Sequence, residues 1–494
     1  MSQFDFQKTE QNIRQFWRDH HIFQKSLDLR RRAKRFVFFE GPPTANGLPH
    51  IGHFLTRIYK DLYGRYKTMR GYFVLRKAGW DTHGLPVEIE VEKQLGFTNK
   101  KQIEEYGIAA FNRKARESVW KYQREWEEMT ERMGFWVDLQ DSYVTYESSY
   151  IESLWYVMRQ IWDKKLLYKA HRVVPFCTRC GTALSSHEVA QGYKVVKDTS
   201  VYIKFKITSG KFKDAFILAW TTTPWTLPGN VALAVGNNIE YIIAEHGGEH
   251  FVLAKDVAEK VLGSTPTIVE TLKGSDLVGL HYEPLFDVPA LKSGASYQIY
   301  EADFVATSEG TGVVHTAVMY GEDDYVLGTK VGLPKVHSVD KNGKFTGAGD
   351  GLEGKYVKDP KTEKLILEHL KKSGFLLKTE LYEHEYPFCW RCETPLLYYA
   401  KDSWFIRMSA LRDQLLKNNE TVNWVPVHIK EGRFGQWIKE GKDWAFSRER
   451  YWGTPLPIWE CTKCGAQDLV GSYQELRERA VTHDNTFFIM RHGF

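Results

Sequence analysis

Long apolar runs are absent from this sequence. None approaches the ~18 residues that a bilayer span requires, so no membrane helix or membrane partner is indicated. The first twenty residues include Asp5, Glu10, Arg14 and Asp19 and lack the apolar centre of a secretion signal. A cytoplasmic location is therefore expected. An excess of one charge is also missing. The 67 basic and 62 acidic residues leave a net charge of +5, which permits nucleic-acid contact without demanding it. Cysteine is scarce: Cys177, Cys180, Cys389, Cys392, Cys461 and Cys464 are the only six, and all stand in Cys-x-x-Cys pairs. Without a secretion signal, that arrangement favours metal over disulfides.

Aromatic residues are plentiful at 14%, which argues against disorder over most of the chain. With 494 residues the chain exceeds one compact core, and a scale of about 150 residues per domain suggests roughly three. Phe6, Ile13 and Trp17 share a helical face, so a short helix is expected over about 5–20. Phe36–Glu40 reads as a buried strand, Gly41–Pro49 as a tight turn and Ile51–Met69 as a helix. Strand, turn and helix in that order open an α/β nucleotide-binding domain. Tyr72–Leu75 reads as the next strand or its edge. Ala115, Val119, Tyr122, Trp126, Met129 and Met133 predict one long helix stopped by Gly134, and Ile151–Ile161 another. Near residue 195 the texture changes. Val201, Ile203, Phe205 and Ile207 alternate as in a half-buried strand, and short strand-like runs follow at Phe216–Trp220, Tyr241–Ala244, Phe251–Leu253 and Gly312–Thr316. A β-rich domain inserted over about 195–385 is expected, with a glycine-rich loop at Lys341–Lys355.

The most informative stretch is Gly41-Pro42-Pro43-Thr44-Ala45-Asn46-Gly47-Leu48-Pro49-His50-Ile51-Gly52-His53. Its glycines and prolines make a rigid turn that a ligand can approach closely. The helix start beyond it offers free N–H groups and a positive dipole end to phosphate. His50 and His53, three residues apart, lie on one side of that first turn. They can donate to phosphate oxygens as charge shifts, or serve only to begin the helix. Gly79-Trp80-Asp81-Thr82-His83-Gly84-Leu85-Pro86-Val87-Glu88 follows, where Asp81 is either a turn residue or an anchor for an ammonium group.

These segments resemble class I aminoacyl-tRNA synthetases, and the Asp81 string resembles the isoleucine type, with valine and leucine types as the rivals. The resemblance implies a Rossmann-like α/β catalytic domain. It implies ATP binding at Gly41, Thr44, Asn46, His50, Gly52 and His53, with Mg2+. His50 and His53 would be catalytic, stabilising attack of an amino-acid carboxylate on the α-phosphate. Pro42 and Asp81 would bind the amino acid. Isoleucine and tRNA(Ile) would be the partners of a monomer.

One methylene in an apolar pocket discriminates only about 10–200-fold, a range this family itself exemplifies, so a second hydrolytic site is expected. Trp220-Thr221-Thr222-Thr223-Pro224-Trp225-Thr226-Leu227-Pro228-Gly229-Asn230 resembles the family's threonine-rich editing segment, and Gly310–Ala317 with Gly321–Tyr325 its second half. Thr221, Thr222, Thr223 and Asn230 would then belong to the site, His315 would exclude isoleucine, and Asp324 would hold the ammonium of a mischarged amino acid. Val318-Met319-Tyr320 departs from the family's usual residues, which leaves the local pocket shape open.

The pairs Cys177/Cys180 and Cys389/Cys392 flank the insertion and suit one tetrahedral zinc; the resemblance supports that pairing. Cys461 and Cys464 form a third knuckle whose partners lie further on in relatives. Gly441–Trp459 again resembles the catalytic domain. The expected organisation is a helical extension at 1–35 and catalytic domain with the first knuckle at 36–194. An editing insertion at 195–385, knuckles and catalytic return at 386–480, and the possible start of another insertion at 481–494 follow. There, Arg491-His492-Gly493 resembles the opening of histidine phosphatases. The family's lysine-rich second ATP loop and helical anticodon-binding domain are not found, so an amino-terminal part of such an enzyme is expected. A trans-acting editing hydrolase and a non-catalytic, zinc-stabilised tRNA-binding module remain as alternatives.

Overall fold

The computed structural model describes residues 5–349 and 351–480; the Arg491-His492-Gly493 motif lies outside the described residues. The chain forms two compact units. One holds residues up to Lys165 and those from Arg450 onward, the other Leu166–Glu449. The second unit encloses the expected insertion and extends past both its ends.

In the first unit, helix Phe6–Asp19 begins at Asp5, whose side chain accepts from Lys8 N at 3.0 Å. Phe36 N donates to Phe73 O (2.9 Å) and Phe73 N to Lys34 O (3.0 Å), so the two segments run in parallel beside each other. Strand Lys77–Trp80 pairs in parallel with Asp138–Val144. Helix Ile51–Met69 makes the first crossover. Helices Leu85–Leu95, Lys101–Tyr106, Ile108–Ser118 and Gln123–Arg132 make the second. This is mixed α/β structure with a parallel frame.

Two expectations need correction. Residues 36–40 form no regular strand, and they are not buried: Val37 is 67% exposed and Phe39 90%. Among the described residues nothing covers that side, and Ile51, Leu55, Leu62 and Met69 on the following helix are exposed as well. The expected long helix over 115–133 is two helices, broken at 119–122, where Tyr122 N donates to Ala45 O at 3.2 Å. Val119 keeps right-handed helical torsions, whereas Tyr122 departs from them at φ −118° and ψ 16°; the apolar spacing in the sequence runs on through the break and so does not mark it.

The second unit contains a six-stranded sheet ordered Thr267–Lys273, Glu240–His246, Glu249–Ala254, Phe216–Thr221, Tyr193–Lys206, Leu376–Pro387. A three-stranded sheet has Ala232–Val235 between Gln298–Glu301 and Val313–Thr316. One apolar core joins them, with Val201, Ile203, Phe205, Leu233, Ile299 and Val313 inside. A third sheet pairs Leu397–Ile406 with Leu167–Cys177 over ten residue pairs.

Candidate functional site

The turn at Gly41–Pro49 is held from beneath. Ala45 is fully buried against Trp80, Trp126 and Val144. Trp126 Nε1 donates to Gly47 O at 2.8 Å. Asp81 N donates to Pro43 O at 2.9 Å, and Thr44 Oγ1 donates to Asp81 Oδ2 at 3.3 Å. The turn and the Asp81 motif are thus one structure. Thr44, expected at the nucleotide, meets the Asp81 carboxylate from within the turn. Pro42 and Asn46 are half-buried, and Gly41 is exposed.

His50 and His53 cap helix Ile51–Met69 reciprocally. Gly52 N donates to His50 Nδ1 and His50 N donates to His53 Nδ1, both at 3.1 Å. Both Nδ1 atoms therefore accept, and hydrogen-bond accounting puts each ring proton on Nε2. Each ring keeps one Nε2–H donor. The His53 ring packs 4.6 Å from Trp126. Desolvation, then His50 and the buried Arg57, hold its pKa below the usual histidine value, which favours the neutral donor. A groove of about 840 Å³ between Thr9–Trp17 and Glu125–Gly134 contains none of these residues.

Gly84 opens the helix after Asp81 with φ +91°, a conformation that favours glycine. Thr82 N donates to Thr145 Oγ1 at 2.9 Å. His83 lies against Trp452 at 5.2 Å, and burial, then Arg116, lowers its pKa to about 4. Glu88 and Trp452 were not expected to matter. Glu88 stood inside the quoted motif, but no local signal shows that a carboxylate is buried.

In the second unit, strand Phe216–Thr221 delivers the threonines into the turn Pro224–Gly229. Thr223 N donates to Thr221 Oγ1 at 3.1 Å. Pairing of Leu233 with His315 and of Ala232 with Thr316 brings the two expected halves together. Thr226 Oγ1 donates to Thr223 O (2.8 Å) and lies 2.9 Å from His315 Nε2. Its single proton is committed, so His315 Nε2–H is the donor there. Burial lowers the pKa of His315 to about 4.

Asp324 sits in the first turn of helix Glu322–Val331 and accepts from Ala317 N at 3.0 Å. Burial raises its pKa to about 6, with the Ala317 N–H opposing. A Cβ at Gly321 would stand 2.6 Å from Asp324 Oδ2, so glycine leaves the carboxylate its room. Asn230 is turned inward: its Nδ2 donates to Ala232 O (2.9 Å) and its Oδ1 accepts from Tyr282 OH (2.7 Å). Thr222 is half-buried. Val318, Met319 and Tyr320 are core residues, and Tyr320 OH accepts from Ser338 N at 2.7 Å.

The thiols of Cys177, Cys180, Cys389 and Cys392 all lie within 4.8 Å of one another, a donor set compatible with zinc. Cys389 N donates to Thr394 O and Glu393 N to Cys389 O, both at 2.8 Å, with Glu393 at φ 59°. The exposed third pair repeats this turn. Cys461 N donates to Ala466 O and Gly465 N to Cys461 O at 2.8 Å, with Gly465 at φ 69°.

Comparisons with known proteins bear on the family of the chain. An isoleucine–tRNA ligase of Clostridium novyi is 53% identical over 481 residues, 97% of this chain and 45% of that protein. One from Dehalococcoides mccartyi is 50% identical over 507 residues, covering 96% of this chain and 50% of that protein. One from Thermus thermophilus is 49% identical over 479 residues, covering 96% and 45%. The chain thus spans about half the length of the curated relatives it matches. The sequence model of tRNA synthetases class I (I, L, M and V) matches residues 12–488, and the chain belongs to that family.

Proposed function

We propose that the chain is the ATP-facing and editing part of an isoleucine–tRNA ligase. In the complete polypeptide, the isoleucine carboxylate attacks the α-phosphate of Mg2+-bound ATP and pyrophosphate leaves; a terminal ribose hydroxyl of tRNA(Ile) then attacks the carbonyl of the isoleucyl-adenylate, so that the isoleucyl group passes to the tRNA and AMP leaves. The Nε2–H groups of His50 and His53 donate to phosphate oxygens where charge accumulates. Asp81 takes the ammonium group and Pro42 borders the side chain. The observation that carries this reading is Asp81 Oδ2 at 3.3 Å from Thr44 Oγ1, in the same turn that ends on the histidine pair. Isoleucine-dependent ATP–pyrophosphate exchange in the complete polypeptide tests it. Exchange that follows valine or leucine instead would overturn the substrate.

In the β-rich unit, water hydrolyses the ester of valyl-tRNA. Asp324 holds the ammonium, the Thr221–Thr223 hydroxyls orient the ribose and water, and His315 walls off the larger isoleucine. Asn230 enters as scaffold. Zinc, when bound, would supply a tetrahedral thiolate clamp through Cys177, Cys180, Cys389 and Cys392; Cys461 and Cys464 offer half of another.

A second reading is a trans-acting editing hydrolase. It draws on the fact that Thr221–Thr226, His315 and Asp324 all belong to one compact unit. Deacylation of valyl-tRNA by this chain alone, with no exchange from the complete polypeptide, would favour it.

A further inference from the structure

Glu88 is a carboxylate buried to 2% exposure on the first turn of helix Leu85–Leu95. Burying such a charge is costly unless donors surround it. Its donors come from one short segment far along the chain. Oε1 accepts from both Tyr451 N and Trp452 N at 2.8 Å, and Oε2 lies 3.3 Å from Arg450 Nη1. Two consecutive backbone N–H groups on one oxygen fix the direction of the peptide that carries them.

That peptide in turn holds the residues that follow Asp81. Trp452 O accepts from Gly84 N at 3.0 Å. Trp452 Nε1 donates to Thr82 O at 2.5 Å. Thr454 Oγ1 lies 3.4 Å from His83 Nδ1. Thr82, His83 and Gly84 are thus each touched by 452–454. The turn contains a glycine with positive φ, whose own torsions restrain it little, so its shape depends on these tertiary contacts.

We propose that Glu88 is a positioning residue for the amino-acid site. It clips Tyr451–Trp452, the clip sets the Asp81–Gly84 turn, and the turn sets the Asp81 carboxylate beside Thr44. The proposal rests on the reading of Asp81 as the ammonium anchor. It differs from a stabilising role because its effect falls more on the amino acid than on ATP: besides its two bonds to Asp81, the nucleotide turn has ties of its own, Ala45 packed against Trp126 and Val144 and Gly47 O accepting from Trp126 Nε1.

The test uses Glu88→Ala, Glu88→Gln and Trp452→Phe. In ATP–pyrophosphate exchange by the complete polypeptide, Glu88→Ala raises KM for isoleucine at least tenfold and leaves KM for ATP within about twofold. Glu88→Gln, which keeps an acceptor at the same reach, recovers most of the loss. Trp452→Phe, which removes the donation to Thr82 and trims the ring against His83, shifts KM for isoleucine in the same direction. Hydrogen exchange on the 494-residue chain reads the clip directly: Gly84 N–H loses protection in Glu88→Ala while amides of strand Asp138–Val144 keep theirs. Equal rises in both KM values, or general loss of protection, would reduce Glu88 to a structural residue and overturn the proposal. So would an unchanged KM for isoleucine. If the unsubstituted polypeptide shows no exchange, the activation reading fails, and protection at Gly84 still decides the clip.

Discussion

His50 and His53 cap the same helix for each other: each Nδ1 accepts a backbone N–H at 3.1 Å, and the rings lie 3.7 Å apart. The cap occupies the acceptor of each imidazole and leaves the Nε2–H donor outside the cap. A signature read as catalytic is therefore also the start of its own helix.

These two roles can be separated. His50→Asn keeps a side chain that caps well but removes the Nε2–H donor. Unfolding free energy of the chain should stay near the original, whereas His50→Ala loses about 1 kcal/mol. Both variants should lower exchange in the complete polypeptide by about 10²–10³-fold. Near-normal exchange in His50→Asn would show that only the cap matters.

Asp81→Asn retains the contact with Thr44 but not the charge. Isoleucine-dependent exchange should fall about as far as in Asp81→Ala, because an ammonium group needs a carboxylate. A variant with Asn that matches the original would remove Asp81 as the anchor.

The proposed editing pocket should depend on pH through two groups of opposite sign. Asp324 has a folded pKa of about 6, above its ordinary 3.8. Its contribution to stability is present below the lower value and lost as pH rises through about 6. Asp324→Asn should therefore melt higher than the original at pH 7–8, while valyl-tRNA hydrolysis is abolished. Hydrolysis by the original should rise with pH through about 6 as the carboxylate ionises. His315, lowered to about 4, acts the other way. Its contribution is present above about 6.5 and lost as pH falls through about 4, so His315→Asn should flatten the acid decline in melting temperature. A hydrolysis profile flat from pH 5 to 8 would contradict the Asp324 assignment.

The four clustered cysteines should bind one zinc per chain, measured by elemental analysis after dialysis. Cys392→Ser should lose it and lower the melting temperature, since a structural site adds folding energy when filled. Full zinc content in Cys392→Ser would place the metal elsewhere.

Much of this was legible because it is local. The turn at Gly41–Pro49, helix Ile51–Met69 and the alternating strand around Val201–Ile207 follow from side-chain size, backbone freedom and periodicity within a few residues. The six cysteines marked their own pairs. The break at 119–122 was not legible, because the apolar spacing continues through it. Val37 and Phe39 read as buried because they are apolar, although burial depends on what else covers them.

The order of residues sets the chemistry available: two imidazoles at a helix start, a carboxylate after Trp80, a threonine run, a His and an Asp far downstream of it, and thiols in pairs. Which of these meet is a matter of how the segments pack. Thr44 turned to Asp81, Asn230 turned inward to Tyr282, and Glu88 found its donors more than 360 positions away. The reason is that a side chain's local preferences set its shape and charge, while its partner is chosen by which segments pack together and by the cost of leaving a buried polar group unpaired.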